Sequence, residues 1–371
     1  MSDLVSVIDR LPVKDLLTRG DRATAADVRA VLRKDHREIR DLAVLLSPAG
    51  DRLLEEIARA SSLLTAKRFG RTILLYAPLY LSNECVNVCT YCGFRRDLDV
   101  RRTTLGAEEI DRELRFLAGE GFRHVLLVTG EHPKEIPLSY VEGAVRAARK
   151  YFPSVSVEID PLHTVQYRRL VDAGVDGVTL YQETYDRKRY GEYHIAGPKK
   201  IYDFRLEALS HAAEAGVRRV NLGALLGLAD WREEALRATA HARWLIRQFW
   251  KAHVSISFPR IRDAAAHFVP PFPVSDRELT RMLTALRLVL PDAGMVMSTR
   301  ECAKLRDGLA RLGVTQMSAG SRTEPGGYHD PDDAEKQFEV EDSRSPAEVA
   351  ARLVELGLDP VWKDWEEALH G

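Results

Sequence analysis

Apolar and polar positions change their spacing near residue 70. Before that point, in stretches such as TAADVRAVLR and DRLLEEIARASSLL, apolar residues recur at helical spacing and no segment alternates as a strand does. Asp27 stands three positions after Thr24, which is a capping-box pattern for the start of one helix. Residues 1–70 are therefore predicted to form an N-terminal helical extension.

After Thr72, short apolar or β-branched runs alternate with amphipathic segments, a pattern typical of βα units around a parallel sheet. The predicted strands are 77–82, 123–128, 155–159, 177–181, 218–225, 254–258, 294–298 and 314–318. The predicted helices are 107–118, 138–150, 165–172, 202–214, 232–249, 276–288, 301–311 and 346–355.

Eight strands, each followed by a helix, predict a (β/α)₈ barrel of the TIM type over residues 71–320. A doubly wound sheet would tolerate the same alternation, but eight successive units favour closure. Glycines at 121, 174, 216 and 313 follow predicted helices, where a left-handed cap would precede the next strand. Residues 321–371 are predicted to form a C-terminal loop and capping helix, with the Gly/Pro/Asp-rich segment 320–342 as a functional loop rather than a disordered linker.

Composition narrows the class of protein. With 371 residues and 45% hydrophobic content the chain can bury a large core, and a net charge of −1 gives no electrostatic case for binding nucleic acid or an anionic membrane. The first residues lack a signal-peptide pattern, and no run of about 18 apolar residues occurs. We expect a soluble, cytoplasmic enzyme.

Three of the four cysteines, Cys85, Cys89 and Cys92, fall within eight residues just after the first barrel strand, whereas Cys302 stands alone. A structural zinc site needs four ligands, usually in two closely spaced pairs, and no second pair exists. Iron–sulfur clusters are held by one cysteine per iron, so three thiolates would leave one iron open. The spacing favours an iron–sulfur cluster over zinc, and either over a chance group of thiols. Cys302 is interpreted as a small buried helix residue.

The C-x3-C-x2-C spacing, with Tyr91 before the last cysteine, resembles the signature of the radical S-adenosylmethionine (radical SAM) enzymes. Further stretches resemble one family within that superfamily, the tyrosine lyases of thiamine biosynthesis, along nearly the whole chain. They are SNECVNVCTYCGF, LVTGEHP, VTLYQETYDRKRYGEYH, ISFPRIR, MSTRE, QMSAGSRTEPGGY, KQFEVEDSRSP and DPVWKDW.

The resemblance implies a [4Fe-4S] cluster on Cys85, Cys89 and Cys92, with S-adenosylmethionine at the open iron. The resemblance implies further cofactor contacts. The TGE turn would meet the methionine amino group, and a helix arginine would bind the methionine carboxylate, as in biotin synthase. A carboxylate in the third strand and residues after the fourth strand would also contact the cofactor. These residues are Gly130, Glu131, Glu158, Gln182, Glu183 and Arg205. Ordinary turn and surface positions are the alternative interpretations.

On the substrate side, the resemblance implies that Arg300 holds the carboxylate of the amino acid, with Ser318 and Ser321 as hydroxyl donors beside it. Tyr91 is counted with these catalytic candidates, and Arg260 is a second basic candidate. Three tyrosines and a histidine in one motif could serve acid–base chemistry or phenol recognition, although packing is expected for most of them. They are Tyr185, Tyr190, Tyr193 and His194.

The activity that the resemblance implies is cleavage of the Cα–Cβ bond of L-tyrosine to p-cresol and 2-iminoacetate (dehydroglycine). The 5′-deoxyadenosyl radical from S-adenosylmethionine would take a hydrogen from the substrate's amino nitrogen. A one-electron donor such as flavodoxin and a complex with the thiazole synthase are implied partners.

Three alternatives remain open from the residues. The tyrosine-cleaving [FeFe]-hydrogenase maturase carries further cluster cysteines, whereas no cysteine follows Cys302 here. Tryptophan lyases share the barrel and the carboxylate-binding arginine. A non-catalytic iron–sulfur or zinc-binding protein would show no turnover of S-adenosylmethionine.

Overall fold

The computed structural model describes residues 3–262, 264, 266–329 and 335–362. The helices described there are α1 Leu4–Asp9, α2 Val13–Asp21, α3 Ala25–Leu32, α4 Ile39–Leu45, α5 Pro48–Arg52, α6 Leu54–Phe69, α7 Ala107–Gly119, α8 Leu138–Ala148, α9 Thr164–Ala173, α10 Arg187–Tyr193, α11 Tyr202–Glu214, α12 Trp231–Gln248, α13 Asp276–Val289, α14 Ala303–Ala310 and α15 Pro346–Glu355. The strands are β1 Thr72–Ser82, β2 Val88–Cys89, β3 His124–Thr129, β4 Ser154–Glu158, β5 Gly177–Thr179, β6 His194–Ala196, β7 Arg219–Gly223, β8 His253–Ser257, β9 Gly294–Met297, β10 Gln316–Ser318 and β11 Asp359–Val361.

Eight parallel strands close into the predicted barrel. Their order is β1-β3-β4-β5-β7-β8-β9-β10, and β10 pairs with β1 to complete the circle. The long β1 also pairs with β11 near its start, in the register Thr72 with Asp359. All eight barrel strands and the helices between them, except α10, were predicted. The short strands β2, β6 and β11 were not predicted, because so few residues carry no periodicity.

Glycine caps end some of the barrel helices. Gly174 has φ of +117° and its N–H donates to the carbonyl of Leu170, as expected for a left-handed cap after α9. Gly121 and Gly216 also have positive φ. The expectation was wrong for Gly313, which is not in the left-handed region; a Cβ there would lie 2.8 Å from Leu283 Cδ2, so close packing accounts for this glycine.

The N-terminal helices pack on the outside of the barrel, against α11, α12 and α13. The predicted capping box forms at the start of α3, where the hydroxyl of Thr24 accepts from the N–H of Asp27 and the carboxylate of Asp27 accepts from the N–H of Thr24. No strand occurs among the described residues before Thr72. The division into segments 1–70, 71–320 and 321–371 stays a prediction.

The loop after β10 lies over the carboxyl end of the barrel. The carbonyl of Thr299 accepts from the backbone N–H groups of Glu341 and Asp342, and the buried Asp342 is paired with the buried Arg306. This fixes the described parts of segment 320–342 across the end of the barrel where a (β/α)₈ fold places its chemistry. Of the described helices, none has the length and apolar character needed to cross a membrane.

Candidate active site

The cysteine loop that follows β1 is held in place by the protein itself. The guanidinium of Arg102 donates to the carbonyls of Asn83 (2.7 Å), Phe94 (2.9 Å) and Arg95 (2.7 Å). The side chain of Asn83 donates to the carbonyl of Arg101 and accepts from the N–H of Thr103. These bonds fix the backbone on both sides of the three cysteines.

A small antiparallel sheet attaches this loop to a second segment of the chain. Cys89 in β2 is paired with His194 in β6, and the N–H of Thr90 donates to the carbonyl of Tyr193. The sheet brings residues 194–199 next to the cysteines.

The three thiols form a donor set that fits an iron–sulfur cluster. Cys89 is buried, Cys85 and Cys92 are half-buried, and burial raises the pKa of the Cys89 and Cys92 thiols, so ionising them requires a nearby positive charge such as a metal. Within the described ranges, no group of three or more His, Cys, Asp or Glu side chains is arranged to hold a single metal ion. A cubane does not require that arrangement, because each cysteine binds a different iron.

A cavity of about 100 Å³ lies at the carboxyl end of the barrel strands, with Cys92 in its wall. Five of the predicted charged residues line it, so residues from five separate segments of the sequence come together. They are Glu131, Glu158, Glu183, Arg205 and Arg300.

One wall of this cavity, which we call the paired wall, consists of Glu131, Glu183, Lys199 and Arg205, supported by the fully buried Asn87. Arg205 donates to Glu131 (3.0 Å) and Glu183 (3.2 Å), and its Nε also donates to the carbonyl of Tyr181. Lys199 donates to Glu183 at 2.7 Å, and Asn87 donates to Glu131 at 2.6 Å. Every charge on this wall therefore has a partner of opposite sign.

Electrostatics on the paired wall favour the ionised form of Glu183. Burial alone would raise the pKa of this carboxyl group, but Lys199 and Arg205 lower it to about 2. Glu183 also has φ of +69°, an uncommon conformation for a residue with a side chain. The turn is held by Glu234, which accepts from the hydroxyl of Thr184 and the N–H of Tyr185.

A second group of residues lining the same cavity, which we call the open wall, consists of Glu158, Arg300 and Phe338. Glu158 has no hydrogen-bond partner among the described side chains, and burial together with the charge of Glu183 raises its pKa to about 7. The guanidinium of Arg300 makes no ion pair or hydrogen bond with any described residue; its guanidinium carbon lies 3.3 Å from the centre of the Phe338 ring. The two charged groups on this wall are left for a ligand.

Two cofactor candidates from the sequence have backbone or packing roles instead of lining the cavity. A Cβ at Gly130 would lie 2.2 Å from the carbonyl oxygen of Glu84, so only glycine allows this turn to approach the cysteine loop. Gln182 does not line the cavity, contrary to expectation. Tyr181 lines the cavity, whereas the amide of Gln182, in the loop that follows β5, donates to the carbonyl of Tyr202.

Three substrate-side candidates are placed differently from the prediction. The hydroxyl of Ser318 accepts from the N–H of Thr299 and does not line the cavity. Ser321 lies in a separate groove outside the barrel, beside α7, so it is not next to Arg300. Tyr91 does line the cavity, but its hydroxyl is bonded to Nε2 of the buried His194 at 2.8 Å. Catalytic roles for Ser318 and Ser321 have no support from their positions.

The remaining candidates stabilise the protein. The hydroxyls of the three candidate tyrosines are bonded to the protein: Tyr185 to His241, Tyr190 to the carbonyl of Lys199, and Tyr193 to the carbonyl of Leu228. The guanidinium of Arg260 donates to the carboxylate of the buried Glu301. Cys302 precedes α14 as its N-cap residue and is half-buried, which corrects the expectation of a buried helix position.

Sequence reasoning missed two residues of the two walls, Lys199 and Phe338, and the supporting Asn87. Lys199 is adjacent to the exposed Lys200, and nothing in the local pattern distinguishes the two. Asn87 could have been suspected because a polar amide stands between two cysteine ligands.

The comparisons with known proteins agree with this geometry. The model of the radical SAM superfamily matches residues 79–241, and that of the biotin and thiamin synthesis associated domain matches residues 257–359. The fold, the thiol-only donor set and these matches define a radical SAM enzyme, a class whose members bind a [4Fe-4S] cluster and S-adenosylmethionine.

Full-length relatives identify the family. The chain is 40% identical to the 2-iminoacetate synthase of Escherichia coli (strain K12) over 356 residues, covering 96% of this chain and 94% of that protein. It matches the enzyme of Salmonella typhimurium at the same identity and coverage. The chain therefore belongs to the 2-iminoacetate synthase family.

Solved structures show the same architecture. HydG, a maturase of the [FeFe]-hydrogenase, superposes with a TM-score of 0.93 at 33% identity, covering 98% of this chain and 82% of that one. Methylornithine synthase (PylB) has a TM-score of 0.69 at 23% identity, over 90% of this chain and 97% of that one, and so shares the fold.

Proposed function

We propose that this chain is a 2-iminoacetate synthase that cleaves the Cα–Cβ bond of L-tyrosine to p-cresol and 2-iminoacetate. The observation that carries the proposal is the unpartnered guanidinium of Arg300 in the cavity wall. A half-buried cation without a partner of opposite charge is costly, and a planar guanidinium suits a carboxylate. The carboxylate of an amino acid substrate would supply the missing partner.

The paired wall would hold the cofactor. Cys85, Cys89 and Cys92 would bind the cluster, Glu131 would accept from the amino group of S-adenosylmethionine, and Arg205 would donate to its carboxylate. When bound, the reduced cluster supplies the electron that splits S-adenosylmethionine into methionine and a 5′-deoxyadenosyl radical. Because Arg205 and Glu131 are already oriented by hydrogen bonds, binding requires little rearrangement of this wall.

The open wall would position tyrosine. Arg300 would bind its carboxylate, so that the amino nitrogen and Cα point toward the cysteine side of the cavity. Phe338 would hold the guanidinium against its ring and exclude water from that face, which protects a hydrolysable imine. We propose that Glu158 contributes to the same wall in its protonated form near neutral pH.

The proposed partners are a one-electron donor such as flavodoxin, for reduction of the cluster, and the thiazole synthase, which would receive the reactive imine directly. We place the enzyme in the cytoplasm, where reducing conditions keep the cluster thiols free.

The test is anaerobic turnover. The protein is reconstituted with iron and sulfide, reduced with dithionite and supplied with S-adenosylmethionine and either tyrosine or tryptophan. We expect p-cresol and 5′-deoxyadenosine from tyrosine, and no indole product from tryptophan. Formation of 5′-deoxyadenosine without p-cresol would overturn the lyase assignment, and absence of both products would favour a non-catalytic cluster protein.

A further inference from the structure

We propose that Asn87 is a positioning residue that joins the cluster ligand Cys85 to the carboxylate of Glu131, so that one amide sets both the affinity for S-adenosylmethionine and the reduction potential of the cluster. The proposal rests on the proposed function of the paired wall, in which Glu131 meets the amino group of the cofactor.

Asn87 is fully buried between two cluster cysteines, and both ends of its amide are occupied. Its Nδ2 donates to Glu131 Oε2 at 2.6 Å and lies 3.7 Å from Cys85 Sγ. Its Oδ1 accepts from the backbone N–H of Lys199 at 3.0 Å. An NH₂ group has two hydrogens, so it can serve the carboxylate and the sulfur together.

The orientation of this amide is determined by its partners. A backbone N–H can only donate, and a carboxylate paired with Arg205 can only accept, so exchanging oxygen and nitrogen of Asn87 would lose both strong bonds. Gly197 packs against the same side chain: its φ is +94°, and a Cβ there would lie 2.2 Å from Asn87 Oδ1. The backbone on that side therefore leaves the amide no room to turn.

Glu131 is attached to the cysteine loop at a second point, because its carbonyl accepts from the N–H of Val86 at 2.9 Å. Its other carboxylate oxygen accepts from Arg205. The orientation of Glu131 is thus fixed by the cysteine loop from one side and by α11 from the other. Loss of the Asn87 donor would release one of the two oxygens that orient the carboxylate.

The same amide acts on the cluster ligand. A hydrogen bond to a ligating sulfur stabilises the more negative, reduced cluster and so raises its reduction potential. Replacing the donor by an acceptor reverses the effect.

Asn87→Asp is the sharpest variant, because it keeps the shape of the side chain but places a carboxylate against Glu131 and Cys85. Asn83→Asp is the matched control: Asn83 is also fully buried in the same loop, but its amide bonds only to the backbone of Arg101 and Thr103. Asn87→Ala, which removes the donor without adding charge, is the second test variant.

Each protein is reconstituted and assayed for iron and sulfide, then for the midpoint potential and for the concentration of S-adenosylmethionine that gives half of the change in the EPR spectrum of the reduced cluster. For Asn87→Asp we expect affinity for S-adenosylmethionine to fall by about 10–100-fold and the potential to become more negative. Asn87→Ala should move both in the same direction by less. Asn83→Asp should leave the affinity for S-adenosylmethionine unchanged in the protein that retains its cluster, because Asn83 bonds to neither Glu131 nor Cys85.

Wild-type affinity and potential in Asn87→Asp would overturn the proposal, as would an equal loss of affinity in Asn83→Asp. If both Asn87 variants lose the cluster while Asn83→Asp keeps it, Asn87 only supports the loop and the link to Glu131 is wrong. These measurements need no tyrosine. A wild-type protein that binds S-adenosylmethionine but makes no p-cresol would therefore refute the lyase function and leave the Asn87 result standing.

Discussion

The paired wall and the open wall line one cavity but differ in how their charges are paired. On the paired wall, Arg205 and Lys199 lie within 3.2 Å of carboxylates. On the open wall, Arg300 and Glu158 have no partner among the described residues. Paired charges give a rigid surface that is complete before a ligand binds, whereas unpaired charges carry a cost that only a ligand of the right charge removes. The paired wall therefore suits a cofactor common to the class of enzyme, and the open wall suits the substrate that the enzyme must distinguish from others.

The largest effect is expected from removing the cluster, because the proposed roles of both walls depend on it. Cys92→Ala should lose the cluster and all formation of 5′-deoxyadenosine and p-cresol, because an iron–sulfur cluster on two cysteines lacks one more iron ligand. Iron content and the visible absorption of the reconstituted protein check this.

Cys302→Ala is the control for that variant, since Cys302 lies at the start of α14 and not in the cysteine loop. It should load the cluster normally. A fully loaded Cys92→Ala protein would contradict the assignment of the ligands.

The next largest effect concerns the open wall. Arg300→Ala should lower kcat/KM for tyrosine by a factor equivalent to about 2–5 kcal/mol, because the substrate carboxylate would be left without its guanidinium partner. Arg300→Lys keeps the positive charge but not the planar guanidinium, so its kcat/KM should lie between the values of the wild type and Arg300→Ala. Steady-state p-cresol formation against tyrosine concentration measures both.

Ser321→Ala provides the matched control, because Ser321 lies in the separate groove outside the barrel. It should leave kcat/KM unchanged. If Ser321→Ala and Arg300→Ala impair turnover equally, the cavity does not bind the substrate carboxylate as proposed.

The walls should also differ in how their arginines affect stability. Arg205→Ala leaves Glu131 and Glu183 facing each other in a buried site and should lower the free energy of unfolding of the cluster-free chain by about 3 kcal/mol. Arg300→Ala removes an unpaired charge and should cost much less. Urea denaturation of the two variants side by side makes the comparison, and an equal loss in both would erase the distinction between the walls.

The smallest effect is on the pH dependence of stability. The folded-state pKa of Glu158 is about 7, above its ordinary value of 4.5, so the folded chain holds a proton that the unfolded chain has released. Stability from this group is therefore present below about pH 4.5 and is lost as pH rises to about 7, by at most about 1.4 kcal/mol per pH unit. Glu183, with a pKa of about 2, has the opposite sign and loses its contribution as pH falls below about 4.5.

Glu158→Gln should flatten the first slope without affecting the second. Unfolding free energies of this variant and the wild type between pH 4.5 and 7.5 provide the test. Identical slopes would mean that Glu158 titrates normally in the folded chain.

The sequence predicted the barrel because eight short apolar or β-branched runs recur with helices between them, and it predicted the three cysteines because their spacing is specific. It located Glu131, Glu158, Glu183, Arg205 and Arg300 through family resemblance, and the fold brought them together. It failed where the outcome depends on the path of a loop. Gln182 directly follows the cavity-lining Tyr181, and Ser321 lies on the loop after β10, so only the path of each loop keeps them out of the cavity.

Lys199 and Phe338 were missed for a related reason. Lys199 reaches the cavity because β6 pairs with β2, and a three-residue strand gives no signal in the sequence. Phe338 comes from a loop whose position depends on the buried pair of Arg306 and Asp342, which lie 36 residues apart.

Arg102 has a consequence for how the cofactor is assembled. Because Arg102 bonds to three carbonyls around the cysteine loop, most of the conformational entropy of that loop is lost on folding, before the cluster binds. Metal and sulfide then arrive at thiols whose backbone is already in position. Loading should therefore be limited by delivery of iron and sulfide, with little refolding, and the cluster-free chain should resist proteolysis at residues 83–102 almost as well as the loaded one.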